Sequence, residues 1–189
     1  FDEAKKCGNE DIVLTFMSTS KISFPGSGVA VMAASDANIA HTKSKMAIQT
    51  IGYDKLNMMR HVKFFGSVDG LMEHMKKHAA IIKPKFDAVL STFDKMLSPY
   101  GVAEWTKPIG GYFLSLNVPD GCAKRVYELA AEAGVTLTNA GATFPYGRDP
   151  RDRNLRIAPT YPTADEMKTA SAVLCLCVRL AALEKLGVK

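Results

Sequence analysis

One lysine, Lys21, lies among small hydroxyl residues and glycines directly after an apolar run. That run, residues 12–17, predicts a buried strand of a parallel sheet. Lys21 would then lie at the carboxyl end of a strand, where open α/β sheets bind their ligands. Hydroxyls and exposed amides suit an anion such as phosphate, and a lysine shielded by Phe24 and apolar walls can act as a nucleophile. The alternative interpretation is a polar loop whose lysine is solvated.

A second candidate is Arg156, which lies inside the apolar segment of residues 155–158. An unpaired guanidinium in such a strand would be costly, and its planar fork suits bidentate capture of a carboxylate. A structural ion pair is the alternative role. The neighbouring Arg148, Arg151 and Arg153 are predicted to be surface or interface charges.

The elements that must position these residues follow from hydrophobic periodicity and capping signals. Residues 28–34 predict a second strand, and helices are expected at 37–50, behind Ser35 or Asp36, and at 54–65. An amphipathic helix over residues 71–97 contains Pro84, which should kink or divide it. The pattern then changes to short strands at 104–106, 112–118, 135–138 and 155–158, alternating with helices at 122–133 and from a capping box at Thr163 onward. This last part predicts a self-contained α+β domain.

Composition excludes several classes of function. The chain has 189 residues, of which 47% are hydrophobic, and its net charge of +5 comes from scattered basic residues, so neither a nucleic-acid surface nor a membrane-spanning run is indicated. Four cysteines lack metal-ligand spacing, and Cys175 and Cys177 lie about 200° apart around a helix, so reduced thiols in a cytoplasmic protein are expected. His74 and His78 are predicted on a helix surface, and no metal site is expected. The first residue is not Met, so a piece of a longer protein is expected.

Four strings carry a resemblance to a known family. They are residues 18–26 (STSKISFPG), 110–113 (GGYF), 141–147 (GATFPYG) and 154–159 (NLRIAP). Their order and spacing resemble those of the class I/II aminotransferases, the fold-type I enzymes that use pyridoxal 5'-phosphate (PLP). The amino-acid sequences of residues 18–26 and 148–154 are similar to those of the MocR-like, aspartate-aminotransferase-like subgroup. This resemblance extends over nearly the whole chain.

The resemblance implies an α/β fold, the C-terminal part of a PLP-dependent transferase. Residues 1–70 would be the end of the large-domain sheet, 71–98 a long interdomain helix, and 99–189 the small α+β domain. It also implies that Lys21 is the catalytic lysine that binds PLP, that Ser18 and Ser20 bind the phosphate, and that Arg156 receives the substrate's α-carboxylate. The family's phosphate-binding arginine is replaced by Gly28, and the candidates to compensate are Ser23, Ser27, backbone amides or groups from the preceding half of a longer protein.

The implied function is exchange of an amino group between an amino acid and a 2-oxo acid, by a homodimer with amino-acid and 2-oxo-acid substrates. Two alternatives remain open at this stage. One is the ligand-sensing domain of a MocR-type transcription regulator, and the other is a different PLP reaction such as a lyase or decarboxylase, because the lysine is common to all of them. Residues 1–189 alone are expected to bind PLP weakly and to lack turnover. Side-chain specificity is not encoded in any pattern described above.

Overall fold

The computed structural model describes residues 1–187, and the predicted end of the small domain at residue 189 lies outside this range. The chain divides into two compact units, Phe1–His78 and Ala79–Lys189, and each is described by itself. None of the helices between residues 1 and 187 has both the length and the hydropathy to cross a bilayer.

The first unit is a two-stranded sheet accompanied by helices. Its elements are α1 (Asp2–Lys6), a 3-10 turn (Glu10–Ile12), β1 (Thr15–Ser18), β2 (Ala30–Ala33), α2 (Asp36–Gln49) and α3 (Lys55–Phe65), followed by the start of α4 (Val68–Met96). Ser35 caps α2 by accepting a hydrogen bond from the backbone N–H of Asn38 at 3.3 Å, and Asp54 caps α3 through Asn57 at 2.9 Å. Both predicted helices are therefore confirmed.

The prediction of a buried parallel strand before Lys21 was wrong. β1 pairs with β2 in antiparallel register, with Thr15 opposite Ala33 and Ser18 opposite Ala30. The connection between them, residues 19–29, contains no helix, whereas parallel neighbours are usually joined by a helical crossover of about a dozen residues or more. Both strands are largely exposed: Phe16, for example, keeps 69% of its surface open.

α4 runs without interruption from Val68 to Met96 with Pro84 inside it, so the proline does not divide the helix as one of the two expectations had it. A proline nitrogen carries no hydrogen, and the carbonyl of Ala80 therefore lacks the donor that an i+4 residue normally supplies. Leu56, Met59 and Val62 of α3 recur at helical spacing, but all three side chains are exposed.

The second unit contains the second half of α4, β3 (Glu104–Trp105), β4 (Leu114–Asn117), α5 (Ala123–Glu132), β5 (Asn154–Ile157) and α6 (Ala164–Lys185), with 3-10 turns at Ser98–Tyr100 and Pro145–Gly147. The three strands form one antiparallel sheet in the order β3-β4-β5. Helices and sheet enclose a continuous core that includes Val89, Phe93, Leu97, Leu114, Leu116, Val126, Leu155, Leu174 and Val178. This arrangement agrees with the predicted α+β pattern.

Three details of the second unit bear on the predictions. Residues 135–138 form no strand, because no strand in the described part of the chain pairs with them. Leu180 and Leu183 of α6 are about half exposed, so the apolar stripe of this helix is wider than the face that it buries. The capping box at Thr163 and Glu166 is present as predicted.

Candidate functional site

Lys21 lies in a short turn that begins at the end of β1. The carbonyl of Thr19 accepts hydrogen bonds from the backbone N–H groups of Ile22 and Ser23, both at 2.8 Å. Thr19 is itself held by Val29: its N–H donates to the Val29 carbonyl at 2.9 Å, and its hydroxyl accepts from the Val29 N–H at 2.8 Å. The backbone on both sides of Lys21 is therefore fixed by short-range bonds.

Two hydroxyls lie beside this turn. Ser18 Oγ and Ser20 Oγ are 2.7 Å apart, and the backbone N–H of Ser20 also donates to Ser18 Oγ at 3.2 Å. Both serines are exposed. Paired hydroxyls with open faces can donate to an oxygen anion. The structure thus brings together three of the four predicted site residues, Ser18, Ser20 and Lys21.

The side chain of Lys21 is exposed and forms no hydrogen bond or ion pair with the residues described between 1 and 187. The expected shielding by Phe24 is not observed. Phe24 turns instead toward α3, where its ring packs against Phe64 and Phe65 at centroid distances of 5.1 and 5.8 Å. The lysine amine is therefore available to a ligand.

Gly28 lies against Ser20, next to the hydroxyl pair. A Cβ built on Gly28 would lie 2.5 Å from Ser20 Oγ, well inside normal contact distance. An arginine at this position would push the Ser20 hydroxyl away from Ser18. The contact between the Ser18 and Ser20 hydroxyls therefore favours a residue without a Cβ at position 28.

Helix α3 anchors the segment that carries Lys21. The buried side-chain amide of Asn57 donates to the Ser27 carbonyl at 2.7 Å, and His61 contacts Ser23 Oγ at 2.7 Å. Ser23 is buried, so it is not one of the hydroxyls that can compensate for the missing arginine. Ser27 Oγ instead lies 3.4 Å from a guanidinium nitrogen of Arg60.

The anchoring residues Asn57 and His61 were not recognised from the sequence. They lie four positions apart, and with Phe65 they form one face of α3. A polar pair at this spacing inside a helix was the available signal, but it does not reveal that the face packs on the lysine turn.

Arg156, the fourth predicted site residue, belongs to the second unit, on β5 opposite Ser115. Its guanidinium carbon lies 4.7 Å from the centroid of the Phe113 ring, and its Nε is buried with no hydrogen-bond partner among the described residues. No described carboxylate forms an ion pair with it, unlike Arg153, which pairs with Glu104 at 3.0 Å. The structural ion-pair interpretation of Arg156 therefore fails, and a guanidinium held by an aromatic face remains open to an anion.

A cavity of about 520 Å³ adjoins Arg156 within the second unit. Its walls are mainly apolar and come from the segment after α5, from β5 and from α6, including Val135, Leu137, Tyr161 and Met167. A cavity of this size with one cationic group is typical of a small-molecule site.

The loop between α5 and β5 is organised by Asp149. Its carboxylate accepts hydrogen bonds from the backbone N–H groups of Arg151, Arg153 and Asn154 at 2.8 to 2.9 Å. Partial burial opposes ionisation, but the three amides outweigh it and hold the pKa of Asp149 below its usual value. Arg151 forms an ion pair with Asp120 at the surface, and is thus a surface charge as predicted.

Histidine, cysteine, aspartate and glutamate side chains form no group of three potential metal ligands within residues 1–187. The His74 and His78 ring centroids lie 4.3 Å apart, and His74 also meets Phe64 and Phe65 edge-on. The two histidines, predicted on the helix surface, are therefore half-buried. Burial, aided by His78 and Lys77, lowers the pKa of His74. The cysteines are free, and burial raises the pKa of the Cys175 thiol to about 12, which makes it unreactive.

Comparison with known proteins identifies the family. The family model described as aspartate amino-transferase matches residues 2–189. The chain belongs to the aspartate aminotransferase family. It is 45% identical over 183 residues to a putative aminotransferase of Mycolicibacterium smegmatis, covering 97% of this chain and 43% of that protein. It is also 45% identical over 177 residues to an aspartate aminotransferase of Corynebacterium glutamicum, covering 94% of this chain and 41% of that protein. The chain therefore spans about two fifths of the length of these relatives.

Solved structures give the same result for the fold. A putative aminotransferase from Corynebacterium diphtheriae superposes with a TM-score of 0.90 at 48% identity, covering 97% of this chain and 45% of that one. The α-aminoadipate aminotransferase LysN of Thermus thermophilus, at 20% identity, superposes with a TM-score of 0.74, covering 96% of this chain and 45% of that one, and so shows the fold alone. The prediction of an α/β chain with the fold-type I PLP-transferase fold is confirmed.

Proposed function

We propose that the protein is a PLP-dependent aminotransferase that exchanges an amino group between an amino acid and a 2-oxo acid. Family membership supports the class of reaction. The turn at Lys21 supports the assignment of residues. It presents an exposed amine that has no partner among the described residues, and this amine lies on the same turn as the Ser18–Ser20 hydroxyl pair.

The residues of the turn fit PLP, the cofactor that this family implies. A primary amine is the group needed to bind its aldehyde, the two hydroxyls can donate to its phosphate, and Gly28 leaves room for them. When bound, PLP supplies an electron sink for the carbon that loses or gains the amino group. Lys21 would hold the cofactor, and its free amine would be the group that moves a proton at the substrate's α carbon.

Arg156 is proposed to bind the α-carboxylate of the substrate. Its guanidinium is oriented by Phe113 and has an unused buried N–H, which favours a planar anion as its partner. Replacing Arg156 with lysine would keep the charge but lose the planar fork, and should raise KM for both amino-acid and 2-oxo-acid substrates.

The protein is also proposed to belong to the MocR-like subgroup, because the sequences of residues 18–26 and 148–154 resemble it. Residues 1–70, 71–98 and 99–189 are proposed as the end of the large domain, the interdomain helix and the small domain. The active form is proposed to be a homodimer, which light scattering of the purified protein tests. A cytoplasmic location is proposed on the four free thiols.

The test is product analysis of the complete protein with PLP and a panel of amino acids paired with 2-oxo acids. The expected result is transfer of nitrogen to the 2-oxo acid, which Lys21→Ala abolishes and the exposed control Lys43→Ala leaves unchanged. Loss of carbon dioxide or elimination without nitrogen transfer would indicate another PLP reaction. Tight PLP binding with no product from any pair would favour a ligand-sensing role.

A further inference from the structure

We propose that His61 is a positioning residue for Lys21, which holds the lysine turn through the Ser23 hydroxyl. His61 Nε2 lies 2.7 Å from Ser23 Oγ, and the His61 ring meets the Phe24 ring edge-on at 5.1 Å. Ser23 and Phe24 are the second and third residues after Lys21. The inference rests on the proposed role of Lys21 but concerns the chain's own geometry.

The contacts of the imidazole determine the direction of its hydrogen bonds. Its Nδ1 lies 2.8 Å from the backbone carbonyl oxygen of Asn57, which can only accept, so Nδ1 carries the hydrogen. In the neutral ring Nε2 is then an acceptor. The single hydrogen of the Ser23 hydroxyl has two acceptors within reach, the Thr19 carbonyl oxygen at 3.1 Å and His61 Nε2 at 2.7 Å, and the shorter distance favours donation to His61. The imidazole therefore links a carbonyl of α3 directly to the lysine turn.

This link reaches Lys21 through the backbone. Ser23 N–H and Ile22 N–H both donate to the Thr19 carbonyl at 2.8 Å, so Lys21 lies in the middle of a closed turn. Val29 fixes the Thr19 end of the turn, and His61 fixes the Ser23 end. With both ends held, the Cα of Lys21 has a defined place, from which its flexible side chain presents the amine.

Packing alone offers a competing explanation. Phe24 also contacts Phe64 and Phe65, and these aromatic contacts would hold the segment without any contribution from the His61 nitrogens. The two explanations differ in which substitutions of His61 are tolerated. His61→Phe keeps a ring against Phe24 but removes both hydrogen bonds, whereas His61→Gln loses the ring but can offer an acceptor to Ser23.

The experiment compares His61→Phe, His61→Gln and Ser23→Ala with the parent, in the complete protein. His41→Phe, at an exposed position of α2, is the matched control. Two quantities are measured. The first is hydrogen exchange of the Ile22 and Ser23 amides without PLP. The second is the rate at which added PLP becomes attached to Lys21, fixed by borohydride and counted by mass spectrometry against the other lysines.

We expect His61→Phe and Ser23→Ala to exchange these amides about tenfold faster and to capture PLP at Lys21 about tenfold more slowly, since both lose the hydrogen bond between Ser23 and His61 and the amine is misplaced. His61→Gln should recover most of both effects, and His41→Phe should match the parent. Urea midpoints show whether overall stability changes with them.

Parent-like exchange and capture in His61→Phe would overturn the inference. So would equal impairment of His61→Phe and His61→Gln that follows their loss of overall stability, because that result assigns His61 a packing role only. If the parent protein attaches no PLP at Lys21, the proposed function fails, and the amide exchange of the variants still decides whether His61 holds the turn.

Discussion

Gly28 shows how one missing Cβ shapes the lysine turn. Any side chain there would begin 2.5 Å from Ser20 Oγ, so Gly28→Ala should displace this hydroxyl and break its contact with Ser18. We expect PLP affinity to fall about tenfold, the effect of losing one hydrogen bond to a charged group. Absorbance titration of the apoprotein with PLP measures it. Gly52→Ala, where a Cβ meets nothing within 4 Å, is the control, and equal affinity of the two variants would contradict the prediction.

Asp149 gives a residue-scale prediction about stability and pH. An asparagine in its place would have a single carbonyl oxygen for three backbone donors, so Asp149→Asn should lower the free energy of unfolding by about 1–2 kcal/mol at neutral pH. Because the folded pKa is lowered, the stabilisation is complete above the unfolded pKa of about 3.9 and is lost as pH falls through the folded value.

Urea unfolding followed by the fluorescence of Trp105, the single tryptophan, measures this difference. The gap between parent and Asp149→Asn should be constant from neutral pH to about pH 4 and should then shrink. Asp87→Asn, which removes a carboxylate paired only with exposed Lys83, should show a small effect at every pH. A gap that widened in acid would refute the assignment.

The sequence predicts Lys21, Ser18 and Ser20 as site residues because they lie within four consecutive positions of a recognisable string, and the structure places them in one turn. It did not identify His61 as the partner of Ser23, since 38 positions separate them and only the docking of α3 brings them together. Candidate site residues can thus be proposed from a local string, whereas the residues that hold them in place depend on contacts between elements.

At the scale of elements, helix ends were predicted well because capping is local. Thr163 and Glu166 lie three positions apart, and each accepts from the other's backbone N–H. Strand pairing was predicted poorly: residues 135–138 have the composition of a strand but no partner in the described chain, and β1 has an antiparallel neighbour where a parallel one was expected. Residue composition favours an extended segment, but a strand forms only where a second segment supplies the backbone hydrogen bonds.

The cap of α6 provides a test at this scale. Thr163→Ala removes the oxygen that accepts from the Glu166 N–H at 3.2 Å, and should destabilise the protein by about 1 kcal/mol. Thr163→Ser keeps that oxygen and should retain most of the stability. Circular dichroism during urea unfolding measures both, and equal losses in the two variants would show that the hydroxyl is not the cause.

At the scale of the whole molecule, the two units differ in how much apolar surface they bury. Every buried hydrophobic side chain of the described core lies between Phe86 and Ala182, whereas Ser23 and Asn57 are the only buried residues described in the first unit. Leu56 and Val62 of α3 remain 82% and 62% exposed. Since burial of apolar surface is the main favourable contribution to folding, the second unit has its own source of stability and the first does not.

This difference predicts that residues 79–189 fold when expressed alone, whereas residues 1–78 do not. The first unit rests on a two-stranded sheet, which is marginal in water without a layer to cover it. The second has a three-stranded sheet covered by helices, with Trp105 packed 5.6 Å from Phe93. We expect a single cooperative urea transition and blue-shifted Trp105 fluorescence for 79–189, and a gradual, non-cooperative loss of helix signal for 1–78. A sharp transition in the shorter piece would mean that its hydrogen-bonded lysine turn, rather than apolar burial, is enough to hold it together.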